Sequence, residues 1–432
     1  MVTEVLLLRS GNPRRLTEPV WRDTLRLCAD AGVPVLSTPP DPPGGPEEDL
    51  PPGLLTLVPE AAEPDEVAAL LAEHDPARIV HCADPDALVR RDVEAARRHR
   101  HLRGEGADAD RDAAGFDTLL HKGRSRDLCE RIGIGIPEGG WGPAGEPLLR
   151  RRAATLLENS GRIVLKDPVG WAGRGQSVVR RPQELARALD AMGDRPVVAE
   201  AFVSGEEVSV EVLCLGGGAG MVLGWALKGG TDEGGHPLHR LRLAPAGPVP
   251  AVLGTEAMRL CAAAGYQGMA EVEFVVGDDG EARVLECNPR VSAISRTFAA
   301  ANGTSSTELA VRSALYGADG LPEPARLETA ERVLPASLPP DVLAGLAAAP
   351  GVAWVHPVTD AFQPRVLLGG VAGEGQVDRG VRQLARLTGI DLAEPLEGRR
   401  ATARRLTAAL DGFQRSLAAG NASAYSPDHG DH

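Results

Sequence analysis

Three carboxylates, an amide and a guanidinium crowd the segment 268–290: Glu271, Glu273, Glu286, Asn288 and Arg290. Two alternating stretches flank Gly277-Asp-Asp-Gly280, a turn-forming tetrad, so the segment reads as a β-hairpin. Side chains alternate faces along a strand, so Glu271 shares a face with Glu273, and Glu286 with Asn288. Closing the hairpin brings Glu273 close to Glu286. Two carboxylates and an amide oxygen on one surface are hard ligands that suit Mg²⁺, an ion that also takes substrate phosphates. A solvated acidic face is the plainer reading of an arbitrary hairpin. The ending Glu286-Cys-Asn288-Pro-Arg290 favours the metal.

A second group of residues lies upstream. Of 46 basic residues only three are lysine: Lys122, Lys166 and Lys228. Where positive charge is otherwise written as arginine, a retained lysine marks a place for a compact, flexible ammonium. Lys166 ends an apolar stretch and precedes a loop carrying Gly170, Gly173 and Gly175. Glycines let backbone N–H groups approach phosphate oxygens and let a loop close over a ligand. A lysine beside such a loop can neutralise an α- or β-phosphate. No Gly-Lys-Ser/Thr occurs, so this is not a Walker A loop. Glu200, Ala201, Phe202 and Val203 make a short hinge whose backbone could pair with an adenine edge, with Phe202 or Val203 against the ring. Glu207 could accept hydrogen bonds from ribose hydroxyls.

These residues need a large scaffold. A chain of 432 residues forms roughly two to four units around buried cores. Its hydrophobic content of 43% with 25% charged residues is that of a globular protein. A net charge of −14 argues against nucleic acid or an anionic membrane as the main partner. No run reaches membrane-span length, and no basic-then-apolar leader opens the chain. Six scattered cysteines read as reduced thiols of a cytoplasmic protein, not as a zinc site.

In chain order, strands at 5–8, 33–36, 54–58 and 79–82 alternate with helices at 17–31, 64–73 and 86–103. That pattern predicts a parallel sheet. The last of these helices is arginine-rich and reads as a solvated face, and 104–115 as a linker. No GxGxxG follows the first strand. A helix at 118–132 carries His121 and Lys122. Strands at 162–166, 178–179, 196–200, 206–215 and 221–227 precede a helix at 255–264 and the hairpin. Beyond Arg290, 294–302 and 306–316 are helical. The remainder reads as a separate small α/β lobe.

Taken in order, these parts resemble the ATP-grasp superfamily over residues 116–320. The Lys166 strand with its Gly loop and the Glu273…Glu286-Cys-Asn288-Pro-Arg290 pattern carry the resemblance. The ending Asn288-Pro-Arg290-Val-Ser292 is similar to the biotin carboxylase and carbamoyl phosphate synthetase branch and to related amino-acid ligases. The resemblance implies an α/β and α+β protein: an N-terminal parallel pre-ATP-grasp domain (1–115), a small lid subdomain (116–198), a large subdomain with the metal hairpin (199–325), a C-terminal lobe (326–418) and a disordered tail (419–432).

The resemblance also implies roles. Lys122 and Lys166 would bind ATP phosphates, and Gly170, Gly173 and Gly175 would form the lid. Glu200, Ala201, Phe202 and Val203 would hold adenine, and Glu207 the ribose. Glu273, Glu286 and Asn288 would bind Mg²⁺ or Mn²⁺. Arg290 would face the transferred phosphate. Lys228 stands where the family often has a cation for the γ-phosphate, with His239, Arg240 and Arg242 as alternatives. Arg296, one helical turn past Ser292, would hold a substrate carboxylate. The implied activity is ATP-dependent ligation of a small carboxylate to an amine through an acyl phosphate, in specialised metabolism, with a homodimer common in the family. A biotin carboxylase-like or carbamoyl phosphate synthetase-like enzyme and a nucleotide-binding regulator are the alternatives.

Overall fold

All seven residues of β1 (Val5–Gly11) are buried. A strand buried on both faces needs layers above and below, the usual state of a parallel sheet. The computed structural model, which describes residues 4–11, 19–39, 50–84, 86–170, 175–229, 241–318, 321–356 and 364–423, supplies them. After β1 come α1 (Pro19–Ala31), β2 (Val35–Ser37), β3 (Leu55–Leu57), α2 (Pro64–His74), β4 (Arg78–Asp84) and α3 (Asp86–Leu102). The strands lie in the order β3-β2-β1-β4, all parallel. Leu6 and Leu8 pack with Val67, Leu71 and Ala95; Val5 and Leu7 pack with Trp21, Leu25 and Cys28. The expected solvated face of α3 is only half right. It buries Arg91, Asp92 and His99, and Arg91 Nη2 donates to Ser10 Oγ and Asp92 Oδ1.

The expected linker at 104–115 is helix: α4 (Gly106–Leu120) starts inside it. The helix expected at 118–132 is broken. At His121 the backbone turns extended (φ −85°, ψ 105°), and α5 (Lys122–Ile132) begins with the His121 ring accepting the Arg124 N–H at 3.2 Å. Then follow β5 (Gly139–Pro143), α6 (Pro147–Ser160), β6 (Ile163–Lys166), β7 (Gln176–Val179), α7 (Pro182–Met192) and β8 (Pro196–Ala201). They form an antiparallel sheet, β5-β8-β6-β7. Leu149, Leu157, Ile163, Leu165, Leu185 and Val197 fill the core beneath it. β5 reads Gly-Gly-Trp-Gly-Pro and carries no alternating pattern, so it is invisible to periodicity.

The largest sheet holds the acidic hairpin. Its elements are β9 (Gly205–Gly216), β10 (Ala219–Leu227), β11 (Arg242–Ala244), α8 (Ala251–Ala263), β12 (Gly268–Gly277), β13 (Ala282–Asn288), α9 (Ala293–Asn302), α10 (Ser306–Tyr316), β14 (Thr329–Val333), α11 (Pro340–Ala347), β15 (Val352–His356), β16 (Arg365–Leu368), α12 (Gln376–Thr388) and α13 (Ala393–Ser423). The strand order is β13-β12-β9-β10-β11-β14-β16-β15. One face is core: Val208, Val210 and Val212 of β9 pack with Ala270, Val272 and Phe274 of β12, under Leu128, Leu260, Leu406 and Leu410. The other face of the same strands carries Glu207, Ser209, Glu211, Glu271 and Glu273.

The C-terminal strands are not a separate lobe's sheet. β14 pairs with β11, and β16 with β14, so they extend the hairpin's own sheet. Leu406 and Leu410 of α13 reach back into the core behind β9 and β12. α13 also runs through 419–423 of the expected tail, and 424–432 lie outside the described residues. No described helix is long and apolar enough to cross a membrane.

Glu331 of β14 locks this extension. It accepts from Arg296 of α9 at 3.0 Å and from Arg365 of β16 at 2.8 Å. Burial alone would raise its carboxyl, but Arg296, Arg365 and Arg242 outweigh burial and hold it at about 2. A folded value below the ordinary 4.5 means stability that is present above pH 4.5 and lost as pH falls toward 2. Glu331→Gln is therefore expected to lose about 3 kcal/mol at pH 7, leaving buried guanidinium groups uncompensated. In urea unfolding at pH 7 and pH 3.5, its gap from wild type should narrow at the lower pH. A gap that stays constant would mean the contribution is not ionic. Gly123 offers a second check: a Cβ there would run into the Trp141 ring. Gly123→Ala should cost about 1–3 kcal/mol by overpacking, read as a lower thermal midpoint.

Candidate active site

The hairpin pairs Glu273 with Glu286 and Glu271 with Asn288, with an irregularity just after Glu273. Its turn closes by a Gly280 N–H bond to the Gly277 carbonyl, with Gly280 at φ 76°. Asn288 Nδ2 lies 3.4 Å from Glu273 Oε1 and 3.4 Å from Glu286 Oε1. The two strands therefore aim both carboxylates and the amide at one point, as the alternation of the sequence predicts.

All three lysines of the chain arrive at the same place from different elements. Lys122, the first residue of α5, places Nζ 3.0 Å from Glu286 Oε2 and donates to the Gly170 carbonyl at 2.8 Å. Lys228, just past β10, contacts Glu273 Oε2. Lys166 ends β6 and bonds Glu200 Oε2 at 2.7 Å, with Glu207 and Glu286 adding to the field around it. The consequence shows on the acids. Burial would push Glu286 up, but Lys122, Lys228 and Lys166 together hold it at about 2. Glu273 goes the other way. Burial, with Glu286 and Glu271 nearby, raises it to about 7 against the pull of Lys228. Two half-buried carboxylates side by side do not both ionise readily without further positive charge.

That unequal pair is the test of metal fit. Among the described residues no three His, Cys, Asp or Glu side chains converge into a cage. Two carboxylates and one amide are a small, hard donor set. Mg²⁺ needs little more from protein, because it keeps waters and takes phosphate oxygens.

The remaining expected residues are placed as follows. Gly170 and Gly175 bracket the loop, and Gly173 lies outside the described residues. Gly175 has φ 73°, and a Cβ there would collide with the Asp167 carboxylate, so only glycine fits. The Asp167 N–H closes the loop base on the Gly175 carbonyl at 2.8 Å. In the hinge, the Ala201 N–H is used by the Glu138 carbonyl and the Phe202 N–H by the Arg162 carbonyl. The Phe202 ring is covered by the Arg162 guanidinium, 4.2 Å above it. Among the described residues the Val203 N–H makes no backbone bond. The Glu200 side chain is buried between Lys166 and Arg126 Nη1, the latter at 2.9 Å. Glu207 stands near Lys166 and Lys228. Arg290 Nε donates to Asp86 Oδ1 of α3, and its Nη2 lies 3.5 Å from Asn288 Oδ1. Arg296 is held by Glu331. His239 and Arg240 lie outside the described residues.

Four contributors escape motif reading: Asp86, Arg126, Ser209 and Glu211. Asp86 and Arg126 act across long sequence separations and leave no local signal. Ser209 and Glu211 do leave one, since they alternate with Val208, Val210 and Val212 and must share the face of Glu207.

Residues 152–317 match the family described as carbamoyl-phosphate synthase L chain, ATP binding domain. The carbamoyl phosphate synthase large chain of Pasteurella multocida (strain Pm70) is 26% identical over 217 residues, which are 48% of this chain and only 19% of that relative's length. Among solved structures, the L-amino acid ligase of Bacillus licheniformis superposes with a TM-score of 0.65 at 18% identity, covering 89% of this chain and 98% of that one. The biotin carboxylase domain of the Hydrogenobacter thermophilus 2-oxoglutarate carboxylase, in complex with MgADP and bicarbonate, gives 0.63 at 16% identity, covering 89% and 90%. With the parallel layer, the antiparallel sheet and the lysine-ringed hairpin already in place, these likenesses agree on one fold, shared with the L-amino acid ligase and the biotin carboxylase domain, and residues 152–317 carry the match to the ATP-binding-domain family.

Proposed function

We propose that the protein is an ATP-dependent ligase that activates a small carboxylate as an acyl phosphate and passes the acyl group to an amine, releasing ADP and phosphate. The observation that carries this reading is the convergence of Lys122, Lys166 and Lys228 on the Glu273, Glu286 and Asn288 cluster beside the Gly170–Gly175 loop. Three ammonium groups around two carboxylates make a polyanion site with a built-in cation seat. ATP brings the polyanion. When bound, Mg²⁺ supplies charge neutralisation of the β- and γ-phosphate oxygens. Lys122 and Lys166 orient the phosphates, with Lys122 also tying the loop through the Gly170 carbonyl. Lys228 stabilises charge on the transferred phosphoryl group. Catalysis of this kind is positioning and electrostatics. Glu200 serves by holding Lys166, and the Val203 N–H is the hinge group left to meet adenine. The division at 1–115, 116–198 and 199–325 follows from this reading, with 326–418 built onto the large sheet.

The likeness to the L-amino acid ligase supports an amine acceptor. A carboxylation reading has one observation in its favour, the bicarbonate held in the complex of the similar biotin carboxylase domain. Against it, Arg290 is followed by Val-Ser-Ala-Ile-Ser, without the Gln, Glu and His such a site would need.

Phosphate release should appear with ATP, Mg²⁺ and pairs drawn from the amino acids. Release with bicarbonate and biotin alone would overturn the ligase reading, and tight ATP binding without turnover would favour a regulator. Glu286→Gln should lower ADP release by about 100-fold or more while circular dichroism stays native. Full activity in that variant would remove the cluster from the mechanism.

A further inference from the structure

Next to the metal hairpin, on the same sheet face, lies a set of polar groups that the nucleotide site does not use. Glu271 of β12 and Glu211 of β9 are register partners, and Ser209 is the partner of Glu273. Glu271 is 4% exposed, Glu211 1% and Ser209 0%. Among the described residues, Glu271 Oε1, Glu211 Oε2, Ser209 Oγ and Ser292 Oγ are buried without a hydrogen-bond partner. The hydroxyls of Ser209 and Ser292 stand close enough to Glu271 to favour its charge, but not in bonding geometry. Facing them is a donor likewise unpartnered among the described residues: Arg242 Nη1, 3.9 Å from Glu271 Oε1 and beyond hydrogen-bond reach. A buried polar atom left without a bond carries the full cost of its lost hydration. Five such atoms beside a reaction centre call for a ligand that carries donors for the acids and an acceptor for the guanidinium.

We infer that the amine substrate is an α-amino acid bound as its zwitterion, with the ammonium on Glu271, Glu211 and Ser209 and the α-carboxylate on Arg242. This rests on the ligase reading and specifies its second substrate. An ammonium has three donors, which matches two carboxylate oxygens and a hydroxyl. The α-carboxylate lies one carbon away, as the facing of Arg242 and Glu271 requires. Insertion converts one stretched ion pair into two bonded ones. The Arg242 side chain is 17% exposed, so this edge of the set borders solvent. The orientation also follows. Arg242 is on β11, separated from β12 by β9 and β10, so the carboxylate it holds is the one that does not react. The ammonium end is the one next to the hairpin, two residues along β12 from Glu273, or about 7 Å.

The experiment uses hydroxylamine as a competing nucleophile, because it is small, largely neutral and lacks a carboxylate. The full-length protein is given ATP, Mg²⁺ and each of the twenty L-amino acids in turn, with and without hydroxylamine. Hydroxamate then reports acyl-phosphate formation, and dipeptide reports capture by the amino acid. In wild type, the primary amide of the preferred acceptor should be used at least ten-fold less well in kcat/KM than the acid. In Arg242→Gln and Glu271→Gln, the partition should shift at least ten-fold from dipeptide toward hydroxamate, with the KM for the acceptor raised. Arg242→Lys, which keeps the charge but loses the planar fork, should fall between. Equal use of acid and amide by wild type, or an unchanged partition in folded variants, overturns the zwitterion site and leaves the ligase standing. Failure of wild type to form hydroxamate from any amino acid removes both.

Discussion

Glu286, half-buried in the site, keeps its charge through its lysines. The field of Lys122, Lys166 and Lys228 is what turns a group that burial would neutralise into a strong acid held at about 2. Those lysines come from α5, β6 and the end of β10, which belong to different layers of the molecule. The charge balance is therefore also a mechanical tie between the four-stranded antiparallel sheet and the large sheet. Removing one partner of such a network leaves an uncompensated buried charge, and that cost fixes the relative placement of the layers. The remaining acid, Glu273, stays near neutrality at about 7. A divalent ion arriving with nucleotide would favour its ionised form.

The strands that frame this network serve two ends through one period. In β9 and β12 the valines, Ala270 and Phe274 face the core, while Glu207, Ser209, Glu211, Glu271 and Glu273 face the site. A register slip of one residue would bury the acids among leucines and expose the core. The precision of the site thus follows from the hydrophobic effect on the opposite face. Arg290 extends this control to the N-terminal layer by its bond to Asp86. Arg296 extends it to the C-terminal strands through Glu331.

How much of this is legible in the sequence depends on range. The hairpin is readable because its alternation and its turn are local, and Glu273, Glu286 and Asn288 meet as the period requires. The parallel N-terminal layer is readable for the same reason. The break at His121 is not, since no proline marks it and Gly123 lies past it, in the first turn of α5; the ring caps α5 in place of a conventional residue. The linker expected at 104–115 fails because acid and glycine content suggests a loop where a helix gains its stability from packing. The C-terminal α/β lobe is legible and has its own core, but the joining of its strands to the large sheet is not, because the pairing of β11 with β14 links residues far apart in the chain and β11 is only three residues long. The side-chain partners of Glu200, Lys166 and Arg126, leave no local signal, because they come from other elements.

The two arginines that the sequence suggests for substrate, Arg290 and Arg296, are each bonded to a buried acid. A guanidinium engaged in this way is pre-oriented but not idle. It presents its remaining edge at a fixed angle, and an incoming anion must compete with, or share, the carboxylate already there. Arg242 differs. Glu271 Oε1 is 3.9 Å from its Nη1, out of bonding range, so Arg242 acts on Glu271 and Glu331 through its field. Among the cations around the hairpin, rigid ones therefore set the frame and the loosely held one discriminates. Selectivity by an acid–guanidinium pair that opens only for a zwitterion follows from the same rule that keeps the rest of the site shut: a buried charge stays where its partner is, and moves only when a better partner arrives.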